Sequence, residues 1–140
     1  MKYFLPLLSI LFFSSAAFAA DNGTGDYTIP KYKIGKIRKI TVTVEAKKND
    51  FLTSDKEGCQ LWKMTQERGL FFFSHAKKIS SASAIHDHEL SSCTAEGTVE
   101  LANGDNGEWT ISPGGIGTLI VNIGKPNEAY LNLYCEKCDD

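Results

Sequence analysis

This sequence predicts an α+β domain, and three observations carry that prediction. Residues 36–46 alternate, with Ile40, Val42 and Val44 on one side and Thr41, Thr43 and Glu45 on the other, the period-two pattern of a half-buried strand. Between 66 and 79 the period lengthens, and Gly69, Phe72, Phe73, Ala76 and Ile79 recur at helical spacing. From 97 to 135 the pattern shortens into brief apolar runs separated by turn residues. Strand, helix and then meander give an antiparallel β-meander with one main helix packed on a face of the sheet, cross-braced by disulfides.

The elements follow in order. Thr65 suits a helix N-cap, and Glu67 lies in the first turn, where the helix dipole favours a carboxylate. Lys77 and Lys78 fall in the last turn of a helix over 66–79, where cations are favoured. Gly69 weakens that helix by about 1 kcal/mol relative to Ala, so packing against a sheet must hold it. Residues 59–64 suit either a short strand or a first helical turn. Residues 80–92 read as a polar connection. Strands are expected at 97–101, 108–111, 117–123 and 129–135, joined by Asn103-Gly104-Asp105-Asn106-Gly107, Ser112-Pro113-Gly114-Gly115 and Gly124-Lys125-Pro126-Asn127.

Ahead of this domain stands an export signal. Met1-Lys2 gives a positive start, residues 3–13 are almost wholly apolar, and Ala17-Phe18-Ala19 places small residues at the −3 and −1 positions of a cleavage point. The expected division is therefore a signal peptide at 1–19, a flexible arm at 20–35 and a single domain at 36–140. The apolar run is too short to span a bilayer, and no later run approaches that length, so stable membrane insertion is not expected. The first cysteine, Cys59, lies too far from the cleavage point for a lipoprotein. The destination is the periplasm or the exterior, where disulfides form.

With 15 Lys/Arg against 17 Asp/Glu, the overall charge points to no partner class and disfavours nucleic acid. Locally, Lys31, Lys33, Lys36, Arg38 and Lys39 crowd together. They serve either as a solvated edge that discourages strand pairing or as a contact for an acidic partner or anionic lipid. Trp62 and Trp109 are core residues by default, and each is also a candidate partner anchor.

The four cysteines, Cys59, Cys93, Cys135 and Cys138, allow three complete pairings. A four-strand meander starts and finishes at the same end of the sheet, which places Cys93 at the end where Cys135 and Cys138 lie. Two long-range bonds are favoured on that ground, Cys93–Cys135 and Cys59–Cys138, and closing a loop of about forty residues contributes about 4 kcal/mol. A redox reading of Cys135-Glu136-Lys137-Cys138 lacks the helix N-terminus that lowers thiol pKa, and Asp139 and Asp140 add negative charge.

His86 and His88, two apart, face the same way in an extended segment. With a cysteine they form a weak candidate site for zinc or copper, against the plainer reading of a solvated loop. Gly114-Gly115-Ile116-Gly117 runs from strand to strand, with no helix to receive a phosphate. No Gly-x-Ser-x-Gly elbow accompanies the Ser and His residues of 74–92. The pattern names no catalytic residue and no cofactor.

The series Ile79, His86-Asp87, Cys93-x-x-x-Gly97, Trp109-x-Ile111, Gly115 and Cys135-x-x-Cys138 resembles small exported proteins of Gram-negative bacteria with unassigned activities. It covers roughly the last sixty residues. Some exported proteins of this size are immunity proteins, and the resemblance implies a protein partner in the cell envelope. The expectation is a non-enzymatic protein-binding module, an inhibitor or immunity protein. The alternative is a metal- or redox-handling protein using His86, His88, Cys135 and Cys138.

Overall fold

The computed structural model describes residues 27–48, 58–89 and 91–138. The expected signal peptide, the start of the arm and residues 49–57 lie outside the described residues. Within them the chain forms β1 (Ile37–Lys48), α1 (Gly58–Leu61), α2 (Gln66–His75), β2 (Lys77–Ile79), α3 (Ser81–His86), β3 (Cys93–Leu101), β4 (Asn106–Ile111), β5 (Ile116–Val121), β6 (Ala129–Tyr134) and a 3-10 turn at Glu136–Cys138. The strands make one six-stranded sheet in the order β1-β3-β4-β5-β6-β2, and every pairing is antiparallel. The α+β class and the meander are as the sequence predicts.

Alternation sorts the sheet into two faces. Ala95 pairs Ile111 and Gly97 pairs Trp109, Trp109 pairs Leu119, and Leu119 pairs Leu131. All of these are buried on one face. The other face carries Glu96, Thr98, Glu108, Thr110, Thr118 and Ile120, none of them buried. Gly97 is glycine because a Cβ there would collide with the Trp109 ring and the Thr41 carbonyl. The indole, 1% exposed, lies over that gap and donates its Nε1–H to the Thr98 carbonyl at 3.1 Å. Trp109 therefore takes the core role of the two that the sequence allowed it.

Helix α2 begins where the sequence places it. Thr65 is the N-cap, and its side chain accepts from the Arg68 backbone N–H. Gly69 and Phe72 are buried. A Cβ on Gly69 would lie 2.7 Å from Ile40 Cδ1, and one on Gly117 would lie 2.8 Å from Phe72 Cζ. The missing side chains at these two glycines let Ile40 and the Phe72 ring come close.

The helix ends earlier than expected. Ala76 turns extended while its N–H closes on the Phe72 carbonyl. Lys77–Ile79 then pairs with β6 as the far edge strand. Sheet pairing outcompetes helix continuation, and Ile79 keeps the helical spacing only by coincidence. The expected loop at 80–92 opens with α3 instead. Ser80 caps it, accepting from the Ser83 N–H, and Ala82 and Ala84 are buried.

The expected arm is held down from Pro30 onward. Lys78 Nζ donates to the Pro30 and Tyr32 carbonyls at 2.6 and 2.7 Å. The Tyr32 and Ile34 side chains pack against the core, while Lys31 and Lys33 face outward.

The disulfides are Cys59–Cys93 and Cys135–Cys138, not the favoured Cys93–Cys135 and Cys59–Cys138. Cys93 and Cys135 do lie at the same end of the sheet, but on β3 and just beyond β6. Three strand spacings separate those strands, about 14 Å, and a disulfide spans at most about 7 Å between Cα atoms. Cys93 is instead opposite Lys48 at the close of β1. Cys59, in α1, lies with its Cα 5.2 Å from that of Cys93.

Candidate binding cleft

A cleft of about 240 Å³ opens at the end of the sheet where β4 turns into β5. Three walls form it. Trp62 and Met64 come from the segment before α2, fixed to β1 by the Met64 N–H donating to the Glu45 carbonyl at 2.9 Å. Arg68, Phe71 and Phe72 come from α2, with Glu67 beside them. Ile111 comes from the end of β4, Ser112 and Gly115 from the β4–β5 turn, and Lys137 and Cys138 from the 3-10 turn.

Local chemistry fixes each wall. Gly115 adopts φ 76°, and a Cβ there would strike the Cys135 carbonyl. The Cys135 N–H donates to the Gly115 carbonyl at 2.8 Å. The turn and the last strand therefore meet backbone to backbone, and the Cys135–Cys138 bond folds the following residues over them. Arg68 donates to the Lys63 carbonyl at 2.9 Å, holding the Trp62 segment against α2. Phe71 is 44% exposed and stacks on His75 with ring centroids 4.1 Å apart. Below it, Phe72 meets Phe73 edge-on at 5.4 Å, and Phe73 meets Trp109 edge-on at 6.4 Å.

Volume and lining limit what the cleft can take. Small-molecule sites begin at roughly 300 Å³, so this cleft suits one large side chain better than a cofactor. Its aromatic and aliphatic walls favour an apolar guest.

The remaining predicted residues scatter. His86 ends α3 and is exposed, while His88 stacks on Tyr134 with centroids 4.0 Å apart. The helical turn replaces the extended segment that aimed the two imidazoles together. Among the described residues no group of three His, Cys, Asp or Glu side chains converges as a metal site, and all four cysteines are in disulfides.

Lys31, Lys33, Lys36 and Lys39 are exposed, and Arg38 pairs with Glu100 at 2.7 Å. The Arg38 hydrogen bond holds the Glu100 carboxyl below its ordinary pKa. Of the candidates singled out in sequence, the cleft gathers only Trp62 and Cys138. Met64 and Arg68 gave no local signal, and Ile111, Ser112 and Lys137 stood out only within a motif or a turn, because these residues come from separate segments that only the fold brings together.

Comparison with protein-family models, with curated proteins and with solved structures finds no match.

Proposed function

We propose that this protein is an exported module that binds another protein by shape, taking one large apolar side chain of its partner into the cleft beside Trp62 and Phe71. Its place of work is the periplasm or the exterior, after cleavage following Ala19. The carrying observation is the aromatic cleft itself, of a size to take one large side chain and set in a disulfide-braced frame. The sequence resemblance extends this to an inhibitor or immunity protein whose partner is in the cell envelope.

Selection of displayed peptides on the oxidised protein tests the reading. Enriched peptides should share one aromatic or large aliphatic residue, and Phe71→Asp should abolish their binding while leaving the circular dichroism spectrum intact. Peptides without such a residue, or binding indifferent to Phe71→Asp, would defeat it.

One observation favours the metal- or redox-handling alternative, namely that Cys138 of the Cys-x-x-Cys pair reaches the cleft wall. That reading predicts free thiols or a bound metal in the native protein. A titration finding two free thiols would move the proposal to redox chemistry.

A further inference from the structure

We propose that the opposite end of the sheet, formed by the β3–β4 and β5–β6 turns, docks on an anionic lipid surface. In an antiparallel meander these two turns share one end, and the β4–β5 turn of the cleft lies at the other. This surface is therefore separate from the binding cleft.

Three contacts gather lysines there. Tyr32 donates to Asp105 in the β3–β4 turn, which brings Lys31 and Lys33 alongside. The Ala102 N–H donates to the Lys36 carbonyl at 2.8 Å, and Lys39 is opposite Glu100. The Asn122 N–H donates to the Asn106 carbonyl at 2.8 Å, placing Lys125 of the β5–β6 turn beside the same site. All five lysines are exposed, and among the described residues none is ion-paired. Four carboxylates share this end: Glu100 is paired with Arg38, Asp105 and Glu128 accept hydrogen bonds from uncharged donors, and Glu108 lines the same recess as Lys125 and Ile123. The five lysines and Arg38 outnumber them.

The residue types separate lipid from an acidic protein. Protein interfaces favour Arg and are depleted in Lys, and the one arginine here is committed to Glu100. An apolar side chain accompanies the lysines: Ile123 is 48% exposed two residues before Lys125. Lysines beside an exposed apolar side chain suit the headgroup region, where lysine stems lie along apolar material. No helix among the described residues is long and apolar enough to cross a membrane, so the contact is surface adsorption.

Co-sedimentation of the exported, oxidised protein with vesicles tests this. Vesicles of phosphatidylcholine containing phosphatidylglycerol should bind it at least about tenfold better than phosphatidylcholine alone, and raised salt should abolish the difference. Each of Lys31→Gln, Lys33→Gln, Lys36→Gln and Lys125→Gln should weaken binding about fivefold. Ile123→Ser should weaken it while leaving the salt dependence unchanged. Equal binding to both vesicle types, binding to neither, or a fourfold lysine variant that binds like the parent would overturn the proposal. Binding to polyglutamate without binding to anionic vesicles would overturn it in favour of an acidic protein partner.

Discussion

The Tyr32 hydroxyl donates a 2.6 Å hydrogen bond to Asp105 Oδ2, joining residues 73 positions apart. It fastens the segment before β1 to the β3–β4 turn. Asn103 supports the same carboxylate, donating Nδ2–H at 3.2 Å. Tyr32 and Ile34 can then cover the core while their lysine neighbours stay in water.

That contact predicts a pH signature. The Tyr32 hydrogen bond is the first cause that holds the Asp105 carboxyl below its ordinary pKa. The contribution to stability is present above the ordinary carboxylate range and is lost as pH falls through the depressed value. The Tyr32 phenol is raised, by burial first and by Asp105 second. Its contribution is complete below pH about 10 and is lost as pH rises through the raised value. Tyr32→Phe should lower the urea midpoint near neutrality and flatten both flanks of its pH profile. Superimposable profiles for parent and variant would refute the pin.

The two disulfides should differ in what they stabilise. Cys59–Cys93 closes a loop with a separation of 34 residues, which in the chain-entropy model contributes about 4 kcal/mol. Cys135–Cys138 has a separation of 3 and contributes about 2 kcal/mol by the same relation. The double variant Cys59→Ala/Cys93→Ala should lower stability in urea by the larger amount. Cys135→Ala/Cys138→Ala should lower it less and loosen peptide binding at the cleft. Peptide mapping under non-reducing conditions should recover the 59–93 and 135–138 links, and a 93–135 link would contradict the structure.

These bonds also show where sequence reasoning stops. Strand alternation and turn residues made β1 and the meander readable, because each signal is local. The ends of the meander were placed correctly too, which is why Cys93 and Cys135 looked like partners. The width of the intervening sheet was the missing term. Helix α2 was readable through its Thr65 cap and the Gly69–Phe72 stripe, but its end was not, because a pairing with β6 from far along the chain decides it. The cleft was almost invisible for the same reason, and Trp62 and Cys138 stood out only as residue types.

Helix α3 did leave a signal, obscured by its serines. Ser80 precedes a short Ala-containing run and is 5% exposed, and its Oγ accepts from the Ser83 N–H at 3.1 Å. Ser80→Ala should cost about 1 kcal/mol, measured by urea denaturation. Ser80→Asp should recover part of the loss by restoring the acceptor. No change in Ser80→Ala would mean that the cap contributes nothing to α3.

The three consecutive phenylalanines offer the sharpest separation of fold from function. Phe72 is 1% exposed and sits over Gly117, so Phe72→Ala opens a cavity and should destabilise by about 3–5 kcal/mol. Phe71, one residue earlier on the helix, is 44% exposed at the cleft mouth and stacks on His75. Phe71→Ala should cost about 1 kcal/mol, well short of Phe72→Ala, yet weaken any ligand seated against Trp62. Gly117→Ala separates the two effects from the sheet side. Its added methyl meets Phe72 at 2.8 Å and the Thr110 carbonyl at 2.7 Å, and overpacking of this kind costs about 1–3 kcal/mol. Pairing Gly117→Ala with Phe72→Leu should relieve part of that cost by removing the ring edge. A strictly additive loss in the double variant would show that ring and glycine are not in contact. A Phe71→Ala variant as unstable as Phe72→Ala would place the exposed ring in the core and remove it from the cleft.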